Sequence, residues 1–492
     1  MIRFLLNDRL VEVEDTASDT TVLDYLRANA DTTSAEPAAN EKRTGTKEGC
    51  CSGDCGACTV VVGEPEGDRL KYNTMNACIA LLPSLHGKQL LTVEDLAGSA
   101  HPQDNPNNKS ELHPVQQALV DHHGSQCGFC TPGIVMSLFA LHHEPPENKP
   151  DILEALGGNL CRCTGYRPLV DAAESLANGQ PDDQFFRHRA ETLSRLQAIE
   201  HQGSVSGNGA FIPATEDEFA RYLVENPDAR ILAGGTDLGL DVTQQLKKIN
   251  KLVLVKSIPS LQTIHEEDNE LVIGSAVTYR SLKPILSKYF PEFAQMLDRL
   301  GSQQIRNQGT LGGNIGNASP IGDTPPVLLA LDASLDLRHG DTLRNIPLNR
   351  FFLDYKKTEL KSGEYIARIR IPTTPHQLKV YKLSKRYGDD ISTVLAAINL
   401  ETSDDGHITR ARVALGGMAA IPRRADLCEQ ILTGSPLNQK TLSQAKAAIR
   451  QEFSPMSDVR ASSEYRLVAA CNLLERYFME LSGQNVRIIC HA

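Results

Sequence analysis

Residues 1–95 show short apolar and polar alternations that predict a small sheet. Apolar positions recur at every second residue over 2–13, which indicates a β-hairpin. The run at 19–30 instead has helical spacing, and the apolar runs at 59–62 and 90–93 predict two further strands. This part of the chain therefore predicts a mixed sheet with one helix.

Residues 96–177 change from this alternation to helical spacing. Amphipathic runs follow Pro114, Pro132 and Pro168, and proline is favoured in the first turn of a helix. Glycines after these runs are typical helix stops. The pattern predicts a small all-helical domain.

The rest of the chain predicts a linker and two α+β domains. Residues 178–207 lack a core pattern and are expected to be a linker with one surface helix. Strand-like and helical runs alternate over 208–375, and a break near Pro372–Gln377 separates a last α+β region at 376–492. The strand-like runs are 229–238, 251–258 and 269–279, and the long helical run is 282–301.

Composition limits the function classes. The chain has 492 residues and a net charge of −11, and an acidic balance argues against a nucleic-acid partner. No apolar run approaches the roughly 20 residues of a membrane span, and the first residues lack a signal-peptide pattern. We expect a soluble, cytoplasmic protein with no membrane partner. The chain has 12 cysteines concentrated toward its start, and in a reducing compartment this clustering favours metal binding.

A first set of four cysteines has the spacing C-x4-C-x2-C followed by a distant cysteine. This is the spacing of plant-type 2Fe–2S ferredoxins, and glycines between the ligands let the backbone point N–H groups at sulfur. Cys51 breaks the spacing and is not expected to be a ligand. A four-cysteine zinc site is the alternative, although such sites usually use two C-x2-C pairs. The predicted ligands are Cys50, Cys55, Cys58 and Cys78.

A second set of four cysteines has the spacing C-x2-C and, later, C-x-C. Both halves adjoin predicted helix starts, where backbone N–H groups favour thiolates. Alone, this set leaves zinc and iron–sulfur open, but the neighbouring ferredoxin-like set favours iron–sulfur. Its members are Cys127, Cys130, Cys161 and Cys163.

The other cysteines and the paired histidines lack metal spacing. Three cysteines are expected to be ordinary thiols, namely Cys428, Cys471 and Cys490. Adjacent histidines on a helix point in different directions and are not expected to share a metal. These pairs are His122-His123 and His142-His143.

The second half of the chain carries glycine-rich stretches. No G-x-G-x-x-G follows a strand and no G-x-x-x-x-G-K-[ST] is present, which argues against Rossmann and P-loop sites. Two other stretches, 231–238 and 309–314, follow strand-like runs. Successive N–H groups of such stretches can cradle a pyrophosphate. Each stretch alone is equally typical of a tight turn.

Three motifs carry a resemblance to a known family. The runs are KEGCCSGDCGACTV, QCGFCTPG and NLCRCTGYRP. Together they resemble the two 2Fe–2S domains of the xanthine oxidase family of molybdenum hydroxylases, over residues 1–175. Residues 208–372 resemble its FAD-binding domain. One departure is the loop at 31–43, which is longer than the family's usual run.

The resemblance implies a multidomain α+β fold. A β-grasp 2Fe–2S ferredoxin domain would occupy 1–95, and an all-α 2Fe–2S domain would occupy 96–177. A non-Rossmann α+β FAD-binding domain would occupy 208–375, and an α+β C-terminal flavoprotein domain would occupy 376–492.

The resemblance also implies site residues. Gln126 would lie beside the molybdopterin, and Tyr355 and Asp389 would lie on the NAD side, with Asp389 in the loop at 383–391 that shapes access to the flavin. The residues implied for FAD are Ile231, Leu232, Ala233, Gly234, Gly235, Thr236, Asp237, Leu238, Leu300, Thr310, Leu311, Gly312, Gly313, Asn314, Asp323, Ile366 and Lys382.

The function implied by the resemblance is electron transfer. This domain order resembles the small subunit of bacterial xanthine dehydrogenases, whose molybdopterin lies on a large partner subunit and whose substrates are hypoxanthine and xanthine. Electrons would pass through two 2Fe–2S clusters to FAD and then to NAD, and the assembly would be a dimer of heterodimers. No residue for hydroxylation is expected on this chain. The alternatives are an aldehyde or N-heterocycle hydroxylase subunit, a stand-alone NADH-dependent flavin reductase and a zinc-binding scaffold.

Overall fold

The computed structural model describes residues 1–14, 16–28, 43–97, 112–177, 179, 181–200, 203–374, 377–484 and 486. The chain divides into two compact units. The first contains Met1–Phe219, Asp228–Ile258 and Gly301–Gly309, and the second contains Ala220–Pro227, Pro259–Leu300 and Thr310–Ala492. The loop at 31–43, apart from Arg43, and Cys490 lie outside the described residues.

The start of the first unit is a five-stranded mixed sheet with one helix, as the alternation predicts. The strand order is β2-β1-β5-β3-β4; β1 and β5 are parallel, and the other pairs are antiparallel. Together with the helix, this is the expected β-grasp fold. The elements are β1 (Ile2–Leu6), β2 (Arg9–Val13), α1 (Val22–Arg27), β3 (Thr59–Glu66), β4 (Arg69–Asn76) and β5 (Gln89–Leu91).

Strand β3 is buried on both faces. Val60 and Val62 belong to the core that contains α1, whereas Val61 belongs to the core of the following helical domain. Because side chains alternate across a strand, three consecutive valines supply both cores. Strand β4 was not predicted, because its first residues are polar and charged.

The helical domain has the three predicted helices and one more. Its core contains Leu119, Phe139 and Leu169. Cys130 lies directly before α3, and the loop that follows α4 carries the C-x-C pair. The helices are α2 (Pro114–Asp121), α3 (Thr131–His143), α4 (Ile152–Leu156) and α5 (Arg167–Ser175).

Two helices occupy the range 178–207, where one surface helix was expected. Leu196 and Ile199 of the second helix are buried together with Leu5 of β1. That helix therefore packs on the ferredoxin-like sheet. The two helices are α6 (Gln184–Arg187) and α7 (Arg189–Glu200).

The first unit also contains a four-stranded sheet with the order β6-β7-β9-β8. Its three last strands are parallel, and its core includes Ile212, Leu232 and Leu252. Its strands are shorter than the predicted runs. Helix α8 continues into the second unit. The elements are β6 (Val205–Gly207), β7 (Ala210–Ile212), α8 (Glu216–Glu225), β8 (Arg230–Leu232), α9 (Leu238–Thr243) and β9 (Leu252–Leu254).

The following stretch forms the second unit's first sheet and its helices. The sheet has the order β10-β11-β16-β12-β13, with a separate β14-β15 hairpin. The elements are β10 (Ile264–Glu267), β11 (Glu270–Gly274), α10 (Tyr279–Tyr289), α11 (Pro291–Leu297), α12 (Gln303–Gln308), α13 (Leu311–Asn317), α14 (Thr324–Ala330), β12 (Ser334–His339), β13 (Thr342–Pro347), β14 (Phe352–Asp354), β15 (Lys357–Thr358) and β16 (Tyr365–Pro372). Of these, α12 belongs to the first unit.

Two predictions in this stretch were wrong in detail. The helical run at 282–301 is divided at Phe290, because Pro291 begins a new helix. The glycine-rich stretch at 309–314 follows helix α12 and not a strand.

The C-terminal part is α+β, as predicted. An antiparallel sheet, β17-β18-β19-β20, is packed by three helices. Its elements are β17 (Lys379–Leu383), β18 (Val394–Thr402), β19 (Ile408–Gly416), β20 (Arg423–Arg424), α15 (Asp426–Leu432), α16 (Gln439–Glu452) and α17 (Ser463–Leu481). Among the described residues, no helix has the length and apolar character needed to cross a membrane.

Candidate functional site

The structure brings the first four predicted thiols together. Cys50 contacts both Cys55 and Cys78, and Cys58 contacts Cys78. The neighbouring Cys55 and Cys78 thiols hold the pKa of Cys50 far below its usual range, so this sulfur favours the thiolate form. The group can thus provide two thiolates to each of two irons, which is what a 2Fe–2S cluster requires.

The backbone around Cys50 directs N–H groups at its sulfur. The N–H groups of Ser52 and Cys55 lie 3.5 Å and 3.4 Å from Cys50 Sγ. Gly53 and Gly56 have φ of +79° and +69°, a conformation that glycine adopts without strain. This wrapping fits a cluster whose sulfurs accept backbone hydrogen bonds.

Cys51, which the spacing predicts not to be a ligand, bonds to a carboxylate. Its Sγ donates to Glu48 Oε1 at 3.1 Å. Burial and the hydrogen-bonded Glu48 carboxylate raise the pKa of Cys51 to about 12. A thiol in this state is a poor metal ligand.

The second four predicted thiols also come together, as an outer and an inner pair. Cys127 contacts Cys163, and Cys130 contacts Cys161. Burial opposes ionisation of Cys161, but hydrogen bonds from Thr164 outweigh it and lower the pKa of this thiol. Cys127 and Cys163 are exposed, whereas Cys58 and Cys78 of the first set are buried.

The two cysteine loops are hydrogen-bonded to each other. The N–H of Leu160, next to Cys161, donates to the carbonyl of Cys55 at 3.0 Å. The side-chain amide of Asn159 donates to the carbonyl of Gly56 at 3.1 Å. A Cβ on Gly56 would lie 2.0 Å from the carbonyl oxygen of Gly158. Glycine at residue 56 is therefore needed for this close approach.

A histidine–carboxylate group joins the helical domain to the range 178–207. Nε2 of His113 and Nε2 of His143 each lie 2.8 Å from Asp183 Oδ2. Although burial opposes it, these hydrogen bonds hold the pKa of Asp183 far below its usual range. The three side chains are close enough to hold a metal ion, but both distances are those of hydrogen bonds. No spacing pattern in the sequence indicates this group, because the two histidines are 40 and 70 residues from Asp183.

The first glycine-rich stretch joins a strand to a helix in the first unit. Strand β8 ends at Leu232 and α9 begins at Leu238, with Gly235 at φ +72° between them. A Cβ on Gly234 would lie 2.1 Å from the carbonyl oxygen of Gln308. The turn therefore needs glycine for both conformation and space.

Helix α9 also contacts the first cysteine loop. Thr243 Oγ1 and Gln244 Nε2 donate to the carbonyl of Cys51 at 2.7 Å and 2.9 Å. These bonds hold Cys51 at φ +50°, which is uncommon for a residue with a side chain. The predicted FAD stretch at 231–238 is thus continuous with helix α9, which is hydrogen-bonded to the loop that carries Cys50 and Cys51.

The second glycine-rich stretch begins helix α13 in the second unit. Thr310 caps this helix by accepting a hydrogen bond from the N–H of Gly313 at 3.0 Å. Gly313 and Gly316 are exposed and, three residues apart, lie on one face. A Cβ on Gly316 would meet only Ile366 Cδ1, at 3.8 Å. This bare helix face beside Ile366 can accept a flat or extended ligand.

Asp323 and Lys382, both predicted FAD residues, form a buried ion pair in the same unit. Lys382 Nζ lies 2.6 Å from Asp323 Oδ2 and also donates to the carbonyl of Arg299 at 2.9 Å. Ser392 donates to Asp323 Oδ1 at 2.5 Å. Lys382 therefore positions Asp323 and the backbone before Leu300, which is itself half-buried.

The residues predicted on the NAD side lie at two exposed turns. Tyr355 is 59% exposed at the tip of the β14-β15 hairpin. Asp389 has φ +50° in the loop after β17, and its carbonyl accepts from Arg386 at 3.2 Å. Gln126, predicted beside the molybdopterin, is exposed next to Cys127.

The comparisons with known proteins agree with this arrangement. Residues 92–174 match a [2Fe-2S] binding domain. Residues 204–374 match the FAD binding domain in molybdopterin dehydrogenase. Residues 379–481 match the CO dehydrogenase flavoprotein C-terminal domain.

Individual relatives come from several enzymes of one family. The chain is 31% identical to xanthine dehydrogenase of Emericella nidulans, over 98% of this chain and 39% of the relative. It is 29% identical to aldehyde oxidase 1 of Bos taurus, over 97% of this chain and 39% of the relative. A solved structure of CO dehydrogenase from Oligotropha carboxidovorans is similar at 30% identity and a TM-score of 0.51, over 54% of this chain and 94% of that chain.

This chain thus spans about two fifths of the length of the two curated relatives. Its domains are the iron–sulfur and FAD electron-transfer domains of such enzymes. The domain matches and the similarity over nearly a whole solved chain show that this protein belongs to the molybdenum hydroxylase family.

Proposed function

We propose that this chain is the electron-transfer subunit of a xanthine dehydrogenase. In this proposal, a large molybdopterin-binding subunit oxidises hypoxanthine and xanthine to urate, and this chain carries the electrons to NAD. The remaining length of the relatives would then correspond to that partner. The assembly would be a dimer of heterodimers in the cytoplasm.

The observation that carries this proposal is the pairing of eight thiols into two neighbouring groups. Each group offers two pairs of sulfurs, and Leu160 joins the two loops through Cys55. A zinc scaffold has no need for two such groups in hydrogen-bonded contact. Two electron carriers do, because electron transfer between them requires proximity.

The residues present fit two 2Fe–2S clusters and FAD. When bound, these groups supply one-electron carriers and a flavin that exchanges single electrons for the hydride of NAD. The cluster ligands would be the eight cysteines, Cys50, Cys55, Cys58, Cys78, Cys127, Cys130, Cys161 and Cys163. Residues 231–238 and 310–314, with Leu300, Asp323, Ile366 and Lys382, would bind FAD.

The two thiol groups differ in burial, and this difference supports a direction for electron transfer between the two clusters. Cys58 and Cys78 are buried, which would keep water from the first cluster. Cys127 and Cys163 are exposed, and Gln126 and Phe129 beside them are exposed as well. The exposed group is suited to face a partner chain and the buried group to pass electrons onward within this chain.

The substrate is proposed by analogy, because its pocket would lie on the partner. The xanthine dehydrogenase relative and the joined cluster and flavin domains favour a purine. The aldehyde oxidase relative supports a second candidate, an aldehyde or N-heterocycle hydroxylase with the same electron route. A flavin reductase without molybdenum is a third possibility from another class.

The test uses the native complex under anaerobic conditions. Xanthine is added with and without NAD, and the flavin and cluster absorbance is followed. Bleaching that NAD reverses, with formation of NADH, is the expected result. If NAD does not reverse the bleaching, the proposal that NAD is the electron acceptor is overturned. If dithionite bleaches the complex but xanthine does not, the proposal that the substrate is a purine is overturned. Aldehydes and N-heterocycles are then tried in the same way, and absence of molybdenum would favour the reductase.

A further inference from the structure

Helix α12 lies within the residues that match the FAD-binding domain, but it belongs to the first compact unit. Its side chains contact both cysteine-bearing domains. Arg306 Nη2 lies 2.7 Å from Glu154 Oε1 in the helical domain. Asn307 Nδ2 donates to the carbonyl and to the hydroxyl of Thr74 in the β-grasp sheet, each at 3.0 Å. The short helix therefore connects both domains.

Gln304 of this helix contacts residues beside both sets of cysteines. It is 1% exposed. Its Nε2 donates to Thr59 Oγ1 at 3.1 Å and to Asn159 Oδ1 at 3.2 Å. Thr59 follows Cys58 of the first group, and Asn159 lies two residues before Cys161 of the second.

The contacts around Gln304 form a closed hydrogen-bond network. Thr59 Oγ1 donates to the carbonyl of Gly56 at 2.7 Å, and Asn159 Nδ2 donates to the same carbonyl at 3.1 Å. Ser137 donates to Asn159 Oδ1 at 2.6 Å. Gln304 Oε1 is buried without a hydrogen-bond partner, so the two bonds that Nε2 donates are the ones that hold this amide between Thr59 and Asn159.

The fit around Gln304 leaves little space for movement. A Cβ on Gly158 would lie 2.2 Å from Gln304 Oε1, and a Cβ on Gly133 would lie 2.2 Å from the carbonyl oxygen of Gly56. The Gly158 backbone therefore packs directly against the Gln304 side chain, and the Gly133 backbone packs directly against the Gly56 backbone. A change in the position of Gln304 would disturb its hydrogen bonds to Thr59 and Asn159, beside the first and the second loop.

We propose that Gln304 is a positioning residue that sets the spacing of the two cysteine loops, and with it the distance between the two clusters. This inference rests on the proposed function, because it requires both clusters to be present. Gln304 would not touch either cluster; it acts through Thr59 and Asn159. Electron transfer between the clusters would depend on the length and the amide of this side chain.

The test replaces Gln304 by Met in the complete chain, with Gln303→Met as the matched control. Low-temperature EPR of the dithionite-reduced protein measures each cluster signal and the magnetic interaction between the two, which falls with the cube of their distance. We expect Q304M to keep both signals, to change their interaction and to slow single-turnover flavin reduction several-fold. Q303M should match the parent chain in all three.

The outcomes separate this inference from the function on which it rests. Failure of the parent chain to show two cluster signals would overturn the proposed function. Two signals with the same interaction in Q304M and in the parent would overturn only the role of Gln304. If Q304M does not fold, Q304N is measured instead, because it keeps the amide but cannot reach both partners. An unchanged interaction in Q304N would likewise overturn the role.

Discussion

The N–H of Leu160 donates a 3.0 Å hydrogen bond to the carbonyl of Cys55, and so joins the second cysteine loop to the first. Each of these residues is, or directly precedes, a proposed cluster ligand. Gly56 allows this close approach, because a Cβ there would lie 2.0 Å from the carbonyl oxygen of Gly158. The loops thus form one structural unit, and changes at their contact should affect both clusters.

Gly56→Ala tests this contact. The new Cβ would meet the carbonyl oxygen of Gly158 at 2.0 Å, and residue 56 has φ +69°. Overpacking costs about 1–3 kcal/mol, in addition to roughly 1–2 kcal/mol for the left-handed conformation. We expect lower stability to urea and loss of iron from both clusters. Gly67→Ala is the control, because φ is +64° and nothing lies within 4 Å of the added Cβ; an equal loss in both variants would contradict the contact.

Cys78→Ala and Cys51→Ala test which thiols hold the first cluster. Cys78 contacts Cys50 and Cys58, whereas Cys51 bonds Glu48 instead. We expect C78A to lose one of two EPR signals and C51A to keep both. If C51A also loses an EPR signal, the prediction that Cys51 is not a cluster ligand is wrong.

Lys382→Met tests the buried ion pair of the second unit. The Lys382 and Asp323 side chains are 2% and 8% exposed, so removal of one partner leaves a buried charge and should cost about 3–5 kcal/mol. We expect a lower Tm and less bound FAD. Lys379→Met removes a more exposed pair with Glu292, at 30% and 17%, and should cost no more than about 1 kcal/mol. Full FAD retention in K382M would exclude a role in positioning the flavin site.

Acid should destabilise the first unit before its carboxylates titrate. Burial lowers the pKa of both His142 and His86 to about 4, whereas an unfolded histidine titrates near ~6.5. The unfolded chain therefore binds these protons first, and stability falls as the pH drops from about 6.5 to about 4. His142→Leu should flatten this decline in urea titrations at several pH values. If the stability of His142→Leu falls with pH as steeply as that of the parent chain, His142 does not cause the loss of stability in acid.

Local patterns were sufficient to indicate the two cysteine sets and the proline-started helices. The proposed cluster ligands lie in short loops whose spacing would be set by the geometry of the bound group, so Cys50, Cys55 and Cys58 could be proposed from one segment. The proline-started helices α2, α3 and α5 were predicted for the same local reason. The fold class followed from these elements and the family resemblance.

Long-range relationships could not be predicted in this way. The pairing of Cys127 with Cys163, the contact of Gln304 with Asn159 and the bond of His113 to Asp183 depend on how distant elements pack. Strand β4 was missed because Arg69 and Lys71 mask its pattern, although its second half is buried. Neither propensity nor spacing contains this information.

The most direct test of the account is EPR of the dithionite-reduced chain, with iron, sulfide, zinc and flavin analysed on the same sample. Two distinct 2Fe–2S signals of equal intensity, together with bound FAD and no zinc, are the predicted result. A single cluster signal, or zinc in place of iron at either thiol group, would contradict the proposal that this chain carries electrons between two clusters and a flavin.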